Sequence, residues 1–269
     1  MTRVTICIPV RNGDNYLEQA LASISMQTDL AYRVLVSDNA STDRTVDILV
    51  AWKKRLPLEV IRQSAMVSMV ENFNGLLERV DDPFYMVLCH DDYLNAPDAI
   101  SSARAVLESN DDISAVYSDL VYVSEARLRL ATRRFHRTGR FDAEKAGRQS
   151  IIKTRNMFGI PLLVRRSALG SNRYDPAFRY VPDVDLSWQI SGHQPAWHIP
   201  RPLIANRYHA GNSTWGWLGG ATDEYIRLAS KHGMQLSPAL RAQVRMRCWS
   251  VGQQRRLFGA YERLVSRLG

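Results

Sequence analysis

Apolar and polar positions in the first hundred residues switch repeatedly between two periods. Val4 to Val10 is an apolar and β-branched run that stops at the turn cluster Arg11-Asn12-Gly13-Asp14, the signature of a strand and its exit loop. From Tyr16 the apolar positions Leu17, Ala20, Leu21 and Ile24 recur at helical spacing. Tyr32 to Val36 predicts a second strand, ending at Ser37-Asp38-Asn39-Ala40-Ser41-Thr42-Asp43. A second helix follows from near Thr42 or Asp43, with Val46, Ile48, Leu49 and Trp52 on its apolar face. A strand over Leu58 to Arg62, a helix from about Val70 to Arg79 and a buried strand over Phe84 to Leu88 complete the series. Repeated strand-then-helix units predict an α/β fold. Its sheet is mostly parallel, flanked by helices, with ligand-facing loops along one edge.

The last of these strands runs directly into Cys89-His90-Asp91-Asp92. Two carboxylates would therefore stand at the carboxyl edge of the sheet, where open α/β sheets bind ligands. Adjacent carboxylates repel unless water or a cation neutralises them, and hard oxygen donors suit Mg²⁺ or Mn²⁺. An acidic turn that only caps the next helix explains the same residues, and both readings stand. Neither early turn carries a GxGxxG arrangement, which argues against a dinucleotide-binding domain. Asp38 either accepts hydrogen bonds from a base or ribose, or caps the following helix. Ser41 and Asp43 are the better capping candidates, which leaves Asp38 for ligand.

Composition narrows the picture. At 269 residues and 45% hydrophobic, the chain suits one large α/β domain with an appendage, or two small domains, and no apolar run is long enough to span a bilayer. The start, MTRVTICIPV, has no long apolar segment, so no signal peptide is expected. Cys7, Cys89 and Cys248 are scattered without metal-ligand spacing, which fits a reducing cytosol. A net charge of +8 favours anionic partners: nucleotides, phospholipid headgroups, polyanionic glycans or nucleic acid.

IPVRNGDNYLEQALASISMQT, VLVSDNASTDRT, ENFNGLLE and YMVLCHDDYL, in that order, resemble the motifs of the inverting family 2 glycosyltransferases of GT-A fold. The resemblance is strong over roughly the first half and looser to about residue 215. It implies a metal-dependent enzyme using Mn²⁺ or Mg²⁺, which moves a sugar from a nucleoside-diphosphate sugar, UDP- or dTDP-linked, to a glycan or lipid-linked glycan acceptor. The implied setting is polysaccharide or lipopolysaccharide assembly on the cytoplasmic side of a membrane. Pro9 and Asn12 match the first nucleotide-binding loop. Asp38 matches the carboxylate that reads the base, Asn39 stands where many members have a second Asp, and Asn72 and Asn74 match an Asn-rich helix beside the sugar nucleotide. Cys89 replaces the first Asp of the metal motif, so Asp91 and Asp92 are the carboxylates for metal and ribose.

The second half is expected to supply the acceptor side and the base. Ile113 to Val123 reads as a strand, and Glu125 to Lys145, rich in Arg, reads as an exposed excursion or mobile loop. Asn156-Met-Phe-Gly-Ile-Pro resembles the family's acceptor-side turn. VPDVDLSWQI resembles its base-bearing motif, with Asp183 on the catalytic position and Asp185 an ordinary charge at a helix start. After a strand over Leu203 to Ala205, Arg207 is a candidate for the diphosphate, and His209 aligns with a late histidine that binds metal or diphosphate. Residues 1–221 then form the catalytic domain, with 1–95 binding the nucleotide sugar and 96–221 on the acceptor side. Residues 222–269 form a basic helical appendage, with Leu240, Val244, Cys248, Val251, Leu257, Tyr261, Leu264 and Leu268 on one side and Arg241, Arg245, Arg247, Arg255, Arg256, Arg263 and Arg267 among the rest. Such a helix either packs on the domain or lies on an anionic membrane surface. A sugar-nucleotide-binding scaffold without turnover is the first alternative function, and a nucleic-acid-binding protein the second. Nucleic acid is not an expected partner, because the arginines lack interleaved aromatics and no zinc spacing accompanies them.

Overall fold

The protein's structure, a computed structural model, describes residues 2–125, 128–135, 137–192, 194–209, 211–212 and 218–265, with side chains described as far as residue 253. The expected alternation holds in the first part: β1 (Val4–Val10), α1 (Leu17–Ser25), β2 (Tyr32–Asp38), α2 (Thr45–Trp52), β3 (Leu58–Arg62), α3 (Met69–Leu77) and β4 (Phe84–Val87). These strands pair in parallel in the order β3-β2-β1-β4. Their exit loops are thereby brought to one edge of the sheet.

Beyond β4 come β5 (Tyr93–Leu94), α4 (Ala99–Ser109), β6 (Ala115–Val123), β7 (Arg129–Arg133), β8 (Gly139–Phe141), α5 (Ala143–Lys153), β9 (Pro161–Arg165), α6 (Arg166–Leu169), α7 (Pro182–Ser191) and β10 (Ala196–Arg207). A 3₁₀ turn (Leu218–Gly220) leads into α8 (Ala221–Lys231) and α9 (Pro238–Val265). Here the sheet becomes mixed. β9 lies antiparallel between β4 and β6, whereas β6 and β10 pair in parallel. The Arg-rich segment expected as a loop instead forms β7 against β6 and β8 against β10. Their polar, largely exposed faces hide the period-2 signal that marks a half-buried strand.

The sheet has a core on each face. Val4, Ile6, Ile8 and Val10 pack with α1, α2 and α4, while Cys7 points to the other side, with α3, α5, α7, α8 and the start of α9. This alternation is the period-2 geometry of a strand buried on both faces. The C-terminal helices share the second core through Tyr225, Leu228, Val244 and Cys248. Leu257, Tyr261, Leu264, Leu268, Arg255, Arg256, Arg263 and Arg267 lie outside the described side chains. No helix among the described residues is long and apolar enough to cross a membrane.

Candidate active site

A cleft of about 1420 Å³ opens along the carboxyl edge of the parallel strands. One end is formed by the loops after β1 and β2. Asn12 adopts a left-handed conformation with φ 49°, which Asn tolerates better than most residues. Its amide N–H donates to Ser41 Oγ at 2.9 Å, and its side-chain oxygen accepts from the Thr42 N–H at 2.9 Å. The two loops are thus tied together. Gly13 must be glycine here, because a Cβ would lie 2.6 Å from Val10 Cγ2 and 2.8 Å from His90 Cδ2.

Pro9, Asn12, Asn39 and Asn72 line this end. Asn39 uses its amide to clasp the Val67 backbone, donating to its carbonyl at 2.9 Å and accepting from its N–H at 2.8 Å. Asn72 accepts from Ser37 Oγ at 2.6 Å. Two of the ligand residues expected at this end, Asp38 and Asn74, are not on the cleft wall. Asp38 is fully buried, accepting from the Ser41 N–H at 3.1 Å and facing Arg62 at 3.4 Å. Its turn therefore depends on Asp38 itself. Ser41 is engaged by Asn12, and Asp43 caps α2 by accepting from Thr45 N–H and Oγ1. Asn74 straps the Tyr174 backbone, donating to its carbonyl and accepting from its N–H, each at 2.9 Å.

The acidic turn lies in the middle of the cleft. β10 pairs with β5, Ala205 opposite Tyr93, so Asn206 and Arg207 fall beside Asp92. Asp92 accepts from the Arg207 N–H at 2.9 Å and from Asn206 Nδ2 at 3.1 and 3.0 Å. Arg207 is almost fully buried and is absent from the cleft wall. Its guanidinium donates to the carbonyls of Asp91 at 3.0 Å, Ser124 at 3.1 Å and Glu125 at 3.3 Å, and to Gln19 Oε1 at 2.5 Å. The arginine expected at the diphosphate instead holds the acidic turn from behind.

Asp91 faces the cleft, with its Oδ2 3.0 Å from His209 Nε2 and 3.3 Å from Asn212 Nδ2. Burial opposes its ionisation, but the hydrogen bond to His209 and the positive potential of His90 and His209 hold its carboxyl below the usual range. Asp92 goes the other way: burial, then repulsion from Asp91, pushes it well up. Cys89 stays a neutral thiol, because burial and the neighbouring carboxylates raise it well above its usual value. Ligand atoms of Cys89, Asp91 and Asp92 lie within 4.8 Å of one another.

Asp183 projects from the first turn of α7 into the cleft, and its Oδ2 accepts from Asn156 Nδ2 at 2.7 Å. It is accessible from the cleft yet surrounded by protein. Burial raises its pKa, and the Asn156 hydrogen bond works against that rise. Its charge helps raise Cys89, and the field of Arg133 favours its ionised form. Asp183, Asp91 and Arg133 thus line the same cleft. Asp185 is fully buried and belongs to the scaffold, bonded to Lys231 at 2.8 Å and His232 at 2.9 Å on and just after α8.

Asn156 also closes its own turn, accepting from the N–H groups of Phe158 at 2.8 Å and Gly159 at 3.0 Å. The start of α7 has no capping side chain of its own. Glu224 on α8 fills that role, its Oε2 accepting from the N–H groups of Arg179 at 2.9 Å, Tyr180 at 2.7 Å and Val181 at 3.2 Å. Nothing in the local sequence of either segment marks this contact, because its partners are 43 to 45 residues apart.

The profile of Glycosyl transferase family 2 matches residues 5–171. Abequosyltransferase RfbV of Salmonella typhimurium is 31% identical over 114 residues, 41% of this chain and 34% of the relative. The matched stretch is thus about a third of that protein's length. Among solved structures, Staphylococcus aureus TarS 1-349 in complex with UDP-GlcNAc superposes with a TM-score of 0.71 at 16% identity, covering 90% of this chain and 70% of that one. Mannosyltransferase PcManGT from Pyrobaculum calidifontis, in complex with GDP-Man and Mn²⁺, gives 0.60 at 15% identity, covering 92% and 69%.

Replacing Glu224 by Ala strands three backbone donors at the α7 start. Unfolding in urea should show a loss of about 3 kcal/mol, since unsatisfied buried donors cost roughly 1–3 kcal/mol each and neighbours relax in part. A loss below about 0.5 kcal/mol would mean that water replaces the carboxylate there.

Proposed function

The chain belongs to glycosyl transferase family 2, and from that premise we propose that the cleft transfers a sugar from a nucleoside-diphosphate sugar to a hydroxyl acceptor with inversion. One observation carries this reading: Asp183, held by Asn156, shares a cleft with Asp91 and His209. The loops of Pro9, Asn12 and Asn39 form the nucleoside end, and α5 to α7 border the acceptor end. The complexes of TarS with UDP-GlcNAc and of PcManGT with GDP-Man support a nucleotide-sugar donor. We take a UDP- or dTDP-linked sugar, used in cell-surface glycan assembly.

An alcohol is a poor nucleophile until its proton is removed. In this mechanism the acceptor oxygen bonds to the anomeric carbon as the bond from that carbon to the diphosphate breaks. The hydroxyl proton passes to the Asp183 carboxylate. A single displacement from the face opposite the leaving group inverts the centre and needs no covalent sugar-enzyme intermediate. A carboxyl raised by burial is a stronger base than an exposed one, which suits it to this transfer.

The donor set at the acidic turn fits a hard divalent cation. The Asp91 carboxyl, held below the usual range, and its neighbour Asp92 offer hard oxygen donors of the kind that suits Mn²⁺ or Mg²⁺. Asp91 and Asp92 would hold the ion, with His209 beside Asp91 as a further donor. The neutral Cys89 thiol adds no hard donor. When bound, such an ion neutralises charge on the departing diphosphate.

Asp183→Asn should bind UDP in calorimetry as the wild type does, while transfer from a nucleotide-sugar panel falls by about 10²-fold or more; undiminished transfer would falsify the base assignment. The acid limb of kcat/KM should lie above the ordinary carboxylate range, because the base must be ionised and burial disfavours its charge. Asn156→Ala removes a bond that favours the charged form, so the limb should move to still higher pH. A limb that stays in place would detach the profile from Asp183. Asp91→Asn should reduce the gain in UDP affinity produced by Mn²⁺ by about tenfold or more, leaving metal-free binding close to wild type. An unchanged gain would place the ion elsewhere.

A further inference from the structure

The cleft is lined by the acids of the 89–92 turn and Asp183 and also by three cations that, among the described residues, no carboxylate pairs. Arg133, at the end of β7, and Lys153 and Arg155, at the end of α5, line it. Among the described residues none of the three forms an ion pair, whereas Arg33, Arg104, Arg140, Arg148 and Arg201 all do. Arg133 is bound by neutral groups, the Asn156 carbonyl, at 3.4 Å the Tyr122 hydroxyl, and the Phe135 ring with its centroid 4.5 Å from the guanidinium carbon, and its Nε is buried without a hydrogen bond. Behind it Arg137 donates to the carbonyls of Met157 at 2.8 Å and Phe158 at 2.6 Å and lies over the Phe141 ring. Burial pushes Arg137 down to about 10, and burial, then repulsion from Arg133, lowers Arg155. Like charges gathered in a partly enclosed wall destabilise it unless an anion joins them.

We propose that the acceptor bears a phosphate group near the hydroxyl that is glycosylated, and that Arg133, Lys153 and Arg155 bind it. The proposal rests on the transferase reading of the cleft and names the acceptor class. The donor's diphosphate is the competing anion. We assign it to Asp91 and His209, whereas these cations stand at the ends of β7 and α5, where Arg133 binds the carbonyl of Asn156, the residue that holds the base Asp183. Arginine forks pair well with phosphate oxygens, and a lysine supplies a point charge.

Calorimetry with sn-glycerol 1-phosphate as probe, in saturating UDP and Mn²⁺ and with glycerol as neutral control, tests this. The wild type should bind the phosphate and not glycerol, with affinity falling as salt rises. In the exposed double variant Lys153→Gln/Arg155→Gln the phosphate affinity should drop about tenfold or more, as for lost charge-assisted contacts, while UDP affinity stays within about twofold. Equal phosphate affinity in the variant overturns the proposal. Loss of UDP affinity with no effect on glycerol phosphate assigns the cations to the donor and also overturns it. A wild type that binds glycerol phosphate but neither UDP nor dTDP overturns the transferase reading, and with it the assignment of the phosphate to an acceptor.

Discussion

The buried guanidinium of Arg207 is the interaction on which the rest of this site depends. It binds the carbonyls of Asp91, Ser124 and Glu125 together with Gln19, while its own backbone N–H reaches Asp92. One side chain thereby joins the exit of the parallel half-sheet, the end of β6 and the first helix. A buried charge is tolerated only when its donors are satisfied and an opposite charge is near, and removing one partner of such a set is strongly destabilising. The ring faces of Tyr16 and Tyr93, with centroids 4.9 and 5.7 Å from the guanidinium carbon, enclose the cation. The geometry of the turn at Asp91 is therefore a product of β10, a strand more than a hundred residues away in sequence.

The same economy recurs at the second acid. Asp183 is oriented by Asn156, whose turn is built after α5, and its helix start is held by Glu224 from α8. The helices that read as a C-terminal appendage thus contribute to the geometry of the cleft. Tyr225 and Val251 also line it. A boundary near residue 221 divides the sequence by composition but not the packing, since Tyr225 and Leu228 are buried in the core shared with α5 and α7.

Much of the GT-A sheet and part of the cleft were legible in the sequence because they rest on local rules. Period-2 and period-3.6 patterns set β1 to β4 and α1 to α3, and each strand's charged or amide-rich exit reported the ligand edge. Asp91, Asp92, Asp183, His209, Asn12 and Asn39 do meet in one cleft. What sequence could not reveal was which polar residues turn inward. Arg207 and Asn74 look like ligand groups in a string of letters, yet one is spent on carbonyls behind the turn and the other on the Tyr174 backbone. Asp38 has no competitor for the Ser41 N–H, because Ser41 and Asp43 are engaged across the two loops. β7 and β8 escaped notice because edge strands with a polar outer face lack alternation. From sequence the segment reads as an exposed excursion or mobile loop, although Arg133 reaches the cleft.

Cys89 shows how the acidic turn tolerates its own charge. Burial already drives Asp92 well above the usual carboxylate range with Asp91 beside it, and both acids push Cys89 up in turn. A carboxylate at position 89 would place a third negative group among ligand atoms that lie within 4.8 Å of one another, and each added like charge raises the cost of ionising the others. A neutral thiol removes that repulsion and leaves Asp91 as the acid that ionises readily, supported by His209 and Asn212. The compensation is chemical as well as electrostatic. With a thiol at 89, the imidazole of His209 stands 3.0 Å from Asp91 Oδ2, and its position is fixed by the Asn212 side chain accepting from its backbone N–H at 2.6 Å. The turn at 89–92 and the loop after β10 are thus one electrostatic unit, and a residue change in either alters what the other must supply.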